Sequence, residues 1–95
     1  MSDETIEVLT RESKPWRVGR AKFEEMARVL MATLPTEPPG MTFAELQKAA
    51  LPKLDPALFP GGAKAGWWAK SVQLDHEYRG LIVRTKGSPL RFHRT

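Results

Sequence analysis

Residues 64–79 are helix-permissive, and Gly80 is the one residue near their end suited to the left-handed position that closes a helix. Leu81-Ile82-Val83-Arg84-Thr85 follows at once as a β-rich run, Lys86-Gly87-Ser88-Pro89 as a turn and Leu90-Arg91-Phe92-His93-Arg94 as a second run. A helix that passes through a glycine into an arginine-bearing hairpin constrains the chain more than any other feature. It sets an α+β class, with helices ahead of a C-terminal β-hairpin.

Two more helices are predicted upstream. Phe23, Met26, Ala27, Leu30 and Leu34 recur at helical spacing, with Lys22, Glu24, Glu25 and Arg28 between them, so a helix over 20–34 is expected, ended by Pro35. Thr36-Glu37-Pro38-Pro39-Gly40 cannot extend it, since proline lacks an amide proton and biases the residue before it away from helix. The second helix should start at Thr42, whose side chain and that of Glu45 can satisfy each other's amides, with Met41 and Leu46 as a hydrophobic staple. Phe43, Leu46 and Ala50 share one of its faces, and Pro52 marks its last turn. Residues 53–62, with Pro56, Pro60, Gly61 and Gly62, read as a loop holding one tight turn at 56–59.

Thr5-Ile6-Glu7-Val8-Leu9 has the composition of a short strand, expected on the edge of the same small sheet as the hairpin. Residues 10–19 contain Ser13, Lys14-Pro15 and Gly19 and read as a connector, with Trp16 and Val18 against the core. The expected organisation is one globular domain, with residues 1–19 as N-terminal strand and connector and 20–95 as the main body.

A chain of 95 residues buries only about two thirds of its unfolded surface. No apolar run approaches the ~18 residues of a membrane span, so no membrane partner is expected. The acidic start, without an apolar stretch behind positive charge, argues against a secretory signal, and the absence of cysteine removes disulfides, thiolate metal sites and a cysteine nucleophile. A cytoplasmic location fits. The net charge of +4 is unevenly placed: residues 1–12 hold Asp3, Glu4, Glu7 and Glu12 against Arg11, a local charge of −3, and residues 61–95 hold seven Lys/Arg against Asp75 and Glu77, a local charge of +5. Such asymmetry suggests an anionic partner for the basic end. A solvated basic surface is the plain alternative.

Three helices, the second capped and short, the third followed directly by Gly80-Leu81-Ile82 and an arginine-bearing hairpin, resemble the winged helix-turn-helix superfamily. The stretch from Trp68-Ala69 to Gly80-Leu81-Ile82 is similar to the end of the DNA-reading winged domain of Mrr-type restriction endonucleases. The whole chain also resembles a group of short bacterial proteins of unknown function that carry the run Phe59-Pro60-Gly61-Gly62-Ala63-Lys64-Ala65-Gly66-Trp67-Trp68. The resemblance implies a winged helix over 20–94 that binds double-stranded DNA, with helix three toward the major groove and the hairpin as a wing on phosphate. One departure is plain: about ten residues separate helices two and three, against the 3 to 4 of a compact helix-turn-helix.

Helix three carries two apolar stripes, Trp67-Ser71-Leu74-Tyr78 continuing to Leu81, and Ala65-Trp68-Ala69-Val72. They leave Gly66, Lys70, Gln73 and Glu77 as the strip expected to face outward, where Lys70 and Gln73 have the donors that read base edges. In the hairpin, pairing Thr85 with Leu90 sets Val83 against Phe92 and Arg84 against Arg91, a like-charge pair that a bound phosphate would turn into a clamp. Lys86, His93 and Arg94 lie nearby. Lys64, at the helix start behind Gly61-Gly62, adds a further cation, but the Lys-Ser/Thr of a nucleotide P-loop is missing. Trp67 and Trp68 diverge by about 100° on a helix, so at least one belongs to the core, packed against Leu58 or Phe59. The other is free for an interface or a base.

Catalysis finds no constellation. His76 and His93 lie on different elements, Asp75-His76-Glu77 point to different sides of a helix, and Ser13, Ser71 and Ser88 have no evident base. No enzyme, metal or cofactor is therefore expected. The functional expectation is non-catalytic DNA binding through Lys64, Lys70, Gln73, Arg84, Lys86, Arg91 and Arg94, of a transcription-regulator-like kind. The alternative is a protein-interaction or homodimerisation module using Phe59, Trp67 and Trp68.

Overall fold

The computed structural model describes residues 4–11 and 14–95. Asp3, Glu12 and Ser13 of the sequence argument lie outside the described residues. Strands β1 (Thr5–Val8) and β2 (Trp16–Gly19) pair antiparallel, Ile6 opposite Val18 and Val8 opposite Trp16. This corrects two expectations: residues 16–19 are strand rather than connector, and β1 joins this separate two-stranded sheet rather than the hairpin's. Trp16-Arg17-Val18 alternates enough to pair once a partner strand is at hand, and Val8 and Val18 insert into the core.

β2 runs without a break into α1 (Arg20–Thr33), whose Arg20 amide donates to the Glu4 carbonyl at 2.9 Å. Phe23, Met26, Val29 and Leu30 are buried along one side of α1, and Leu34 caps the far end with its amide on the Leu30 carbonyl. The two-residue strand β3 (Met41–Thr42) precedes α2 (Phe43–Ala50). The expected capping box is formed, with the Glu45 amide donating to Thr42 Oγ1 at 3.1 Å and the Thr42 amide to Glu45 Oε1 at 3.0 Å. Leu46 and Ala50 face the core.

The long join to the third helix is built rather than slack. A 3-10 turn at Leu51–Lys53 and another at Pro60–Gly62 flank a turn in which the Leu58 and Phe59 amides both donate to the Asp55 carbonyl. Leu54 and Phe59 are buried, so the segment is anchored on the core at two points. Its edge is held by the Asp55 amide on Glu25 Oε2 at 2.9 Å and Lys53 Nζ on Thr33 Oγ1 at 3.1 Å.

Helix α3 (Ala65–Tyr78) ends as its sequence requires. Gly80 takes φ +79°, its amide donates to the Glu77 carbonyl and the Leu81 amide to the His76 carbonyl, the two hydrogen bonds of a glycine-closed helix. Strands β4 (Ile82–Thr85) and β5 (Arg91–Arg94) follow, and the second sheet has the order β3-β5-β4, all antiparallel. Met41 pairs with Phe92, and Gly40 just before it holds φ +84° so tightly against β5 that a Cβ would stand 2.1 Å from the Phe92 carbonyl oxygen. Three helices and two small sheets therefore enclose one hydrophobic core, an α+β arrangement compatible with a winged helix.

Candidate functional site

The rotation of α3 decides which side chains are available. Ala65, Trp68, Ala69 and Val72 are buried as their spacing predicts, but so are Ser71, Gln73, Asp75 and His76. The strip expected to face outward is mostly covered: Gln73 is 0% exposed, and a Cβ on Gly66 would lie 2.9 Å from Gln47 Nε2 of α2. Lys70 alone of that strip is exposed, with Nζ 5.6 Å from the Phe43 ring centroid. The outward residues come instead from the stripe assigned to the core, with Trp67 50% and Tyr78 48% exposed and Leu74 half-buried between them.

The physical reason is a polar network that periodicity does not reveal. Asp75, fully buried, accepts the Leu9 amide on Oδ1 at 2.8 Å and Arg79 Nε on Oδ2 at 2.8 Å. His76 Nδ1 lies 3.0 Å from the same Oδ2. Burial pushes the His76 imidazole pKa below its ordinary value, against the opposing pull of Asp75, so the ring is neutral at pH 7 and Nδ1 donates to the carboxylate. With Asp75 held by the Leu9 amide of the N-terminal hairpin, α3 turns its Asp75 side inward. Gln73 donates through Nε2 to Glu77 Oε1, and its own Oε1 is buried without a partner.

The hairpin register differs by one residue from the expected one. Thr85 pairs with Arg91, Arg84 with Phe92, Val83 with His93 and Ile82 with Arg94. A five-residue turn replaces the four-residue one because Ile82 and Phe92 are the two side chains that reach the core, and both must lie on the same face. The opposed Arg84 and Arg91 pair, and with it the phosphate clamp, is not formed. Arg84 instead grips Glu77 with two bonds, Nε to Oε2 at 2.9 Å and Nη2 to Oε1 at 3.0 Å, and stacks its guanidinium 5.6 Å from the Phe92 ring centroid. Arg91 Nη1 donates to the Gly40 carbonyl at 3.2 Å and approaches Glu45 Oε1 at 3.4 Å. Arg94 is half-buried, its amide on the Pro35 carbonyl. Lys86 stands exposed in the turn.

The two tryptophans divide their roles. Trp68 is buried, edge-on to Phe59 with centroids 6.3 Å apart, which is the packing its sequence context predicts. Phe59 is itself buried at the same point and offers no surface. Trp67 lies edge-on to Trp68 at 5.1 Å, with half its surface in solvent. Lys22 of α1, Lys64, Trp67 and Trp68 together line a concavity of about 480 Å³ at the start of α3. Lys22 has no place in the sequence-based candidate set; its only signal there is a polar position on α1. Lys22 Nζ lies 6.0 Å from the Trp68 ring centroid. None of the ion pairs among the described residues involves Lys22, Lys64, Lys70 or Lys86, and the first turn of α3 carries no acidic side chain.

A second concavity, of about 450 Å³, lies at the other end of α3 between Leu74, Tyr78, Val83, Arg11 and the Arg84 and Glu77 pair. No group of three or more His, Cys, Asp or Glu among the described residues could hold a metal ion, and no helix among them is long and apolar enough to cross a membrane. His93 Nδ1 sits 3.2 Å from the Arg94 carbonyl and has no partner of the kind that Asp75 gives His76.

Fold and surface together define a small α+β domain with a cationic, aromatic patch at the start of its third helix. The chain belongs to DUF6958, a family of unknown function whose model matches residues 5–92. No curated protein and no solved structure matches it.

Proposed function

We propose that this chain is a winged-helix domain that binds DNA without catalysing a reaction, and that its contact surface is the start of α3 together with the tip of the hairpin. The element order supports the fold reading, with β3 between α1 and α2 and pairing to β5, the last strand of a hairpin that follows α3. One observation carries the functional reading: Lys22 and Lys64 line one concavity with Trp67, Lys70 is exposed one turn further along α3, and no carboxylate is paired to any of the three among the described residues. Unpaired ammonium groups on one face attract phosphate and release its counterions. Lys86 adds a contact at the wing, whereas Gln73, which is buried, Arg84 and Arg91, which are engaged internally, and Arg94, which is half-buried, are withdrawn from the proposed surface.

The test is affinity for labelled random-sequence DNA as salt is raised. Replacing Lys64 and Lys70 by Ala should flatten the log-log slope by about two units. An unchanged slope, or no binding at micromolar protein in low salt, sinks the reading.

A second reading, a protein-interaction or homodimerisation module, is favoured by one observation. Tyr78 at the end of α3, Leu81 in the turn that follows and Val83 in β4 are all exposed. Light scattering over a concentration series, which shows a rise in mass for a dimer and a constant monomer otherwise, separates it from the first.

A further inference from the structure

Resting on the DNA-binding reading, we infer that the site at the start of α3 takes an unpaired base, stacked on Trp67, with the flanking phosphates on Lys22, Lys64 and Lys70, so that single-stranded DNA is its preferred form. The two indoles lie 82° apart, edge to face, so Trp68 braces Trp67 without stacking parallel on it. Trp68 in turn is fixed by Phe59, whose ring is 84° from its own. Trp67 is therefore a supported ring held half in solvent, a geometry that costs hydrophobic burial and fits a stacking platform.

The surrounding chemistry narrows the ligand. The concavity is of the size that holds one small ligand, and its side chains offer two indoles and two ammonium groups. Lysine has donors and no acceptor, and the indole nitrogen is a single donor, so the pocket has no side-chain acceptor with which to read the amino groups of a base. Such a site recognises a π-face beside negative charge, whatever the base. Inside a duplex every base face is covered by its neighbours, so an indole face can meet a base only where the strand is unpaired. Lys70, three residues beyond Trp67 and so its neighbour on the α3 surface, is exposed, with Nζ 5.6 Å from the Phe43 ring centroid, and is the cation assigned to the next phosphate.

The experiment compares a labelled 12-nucleotide oligothymidine with a random duplex of the same length, by fluorescence anisotropy at low salt, using the full chain. The unmodified protein should prefer the single strand. Trp67→Leu, at an exposed position and checked for an unchanged thermal melt, should weaken single-strand binding about ten-fold and duplex binding less than two-fold; Trp67→Phe should restore most of the loss. Equal loss on both forms, or no loss on the single strand, overturns the stacking proposal while leaving a salt-dependent DNA-binding reading intact. Failure of both polymers to bind overturns both readings. Thymidine monophosphate is the remaining arm: competition at the concentration in nucleotides at which the strand itself competes would assign the site to free nucleotides and overturn the strand proposal.

Discussion

Leu9 donates its amide to Oδ1 of Asp75, a contact 66 residues apart in sequence that fastens the N-terminal hairpin to α3. Asp75 has no contact with solvent, and its other oxygen serves Arg79 and His76. Three donors therefore depend on one buried carboxylate.

Replacing Asp75 by Ala should lower stability by about 3 kcal/mol, because it leaves a backbone amide, a guanidinium and an imidazole facing an empty site. Asp75→Asn keeps one acceptor and should cost less. Urea denaturation of the two variants measures the difference, and near-equal midpoints for Asp75→Ala and the unmodified chain would show that the hairpin is held by packing alone.

His76 supplies a pH dependence of predictable sign. Burial lowers its folded pKa below the ordinary imidazole value of about 6.5, with Asp75 opposing and Arg79 adding to the shift. Between those two values the unfolded chain binds the proton and the folded chain does not. Stability therefore rises with pH through that window, is complete above about pH 7.5 and declines as pH falls below about 6.5, by at most about 1.4 kcal/mol per pH unit. Urea midpoints at pH 7.5, 6.5 and 5.5 should fall in that order, and His76→Gln should flatten the trend. A slope that survives the substitution would place the titrating group elsewhere.

Local signals in the sequence carry most of the helical framework. Thr42 and Glu45 satisfy each other within one turn, the Gly80 and Leu81 amides close α3 on the Glu77 and His76 carbonyls, and the α1 stripe needs only its own spacing. What escapes the sequence depends on distant partners. β3 is two residues long and exists only because β5 lies beside it, and β2 is strand only against β1. The face of α3 was ambiguous by composition, since two apolar stripes competed for one core. Asp75 settles it through Leu9, so Trp67 is turned out and Gln73 is turned in. For the site this means that Lys64 and Lys70 are legible as exposed cations, whereas the choice between Trp67 and Trp68, and the arrival of Lys22 from α1, are not.

The Arg84 and Glu77 pair offers a test in which the internal and the functional roles of one arginine pull in opposite directions. Arg84 is partly exposed and held by both carboxylate oxygens, so Arg84→Ala should cost no more than about 1 kcal/mol of stability. Its charge is already answered within the protein, so the same variant should shift the salt slope of DNA binding by less than about half a unit, unlike a change at Lys64 or Lys70. Glu77→Gln removes the carboxylate charge, retains an acceptor for Gln73 Nε2 and releases the guanidinium as a net cation. If the DNA-binding surface extends along α3 toward the hairpin, that substitution should tighten binding and steepen the slope by about one unit. A steeper slope with Glu77→Gln and none with Arg84→Ala would mean that Glu77 restrains the basic face; an unchanged slope in both would confine DNA contact to the Trp67 end of the helix.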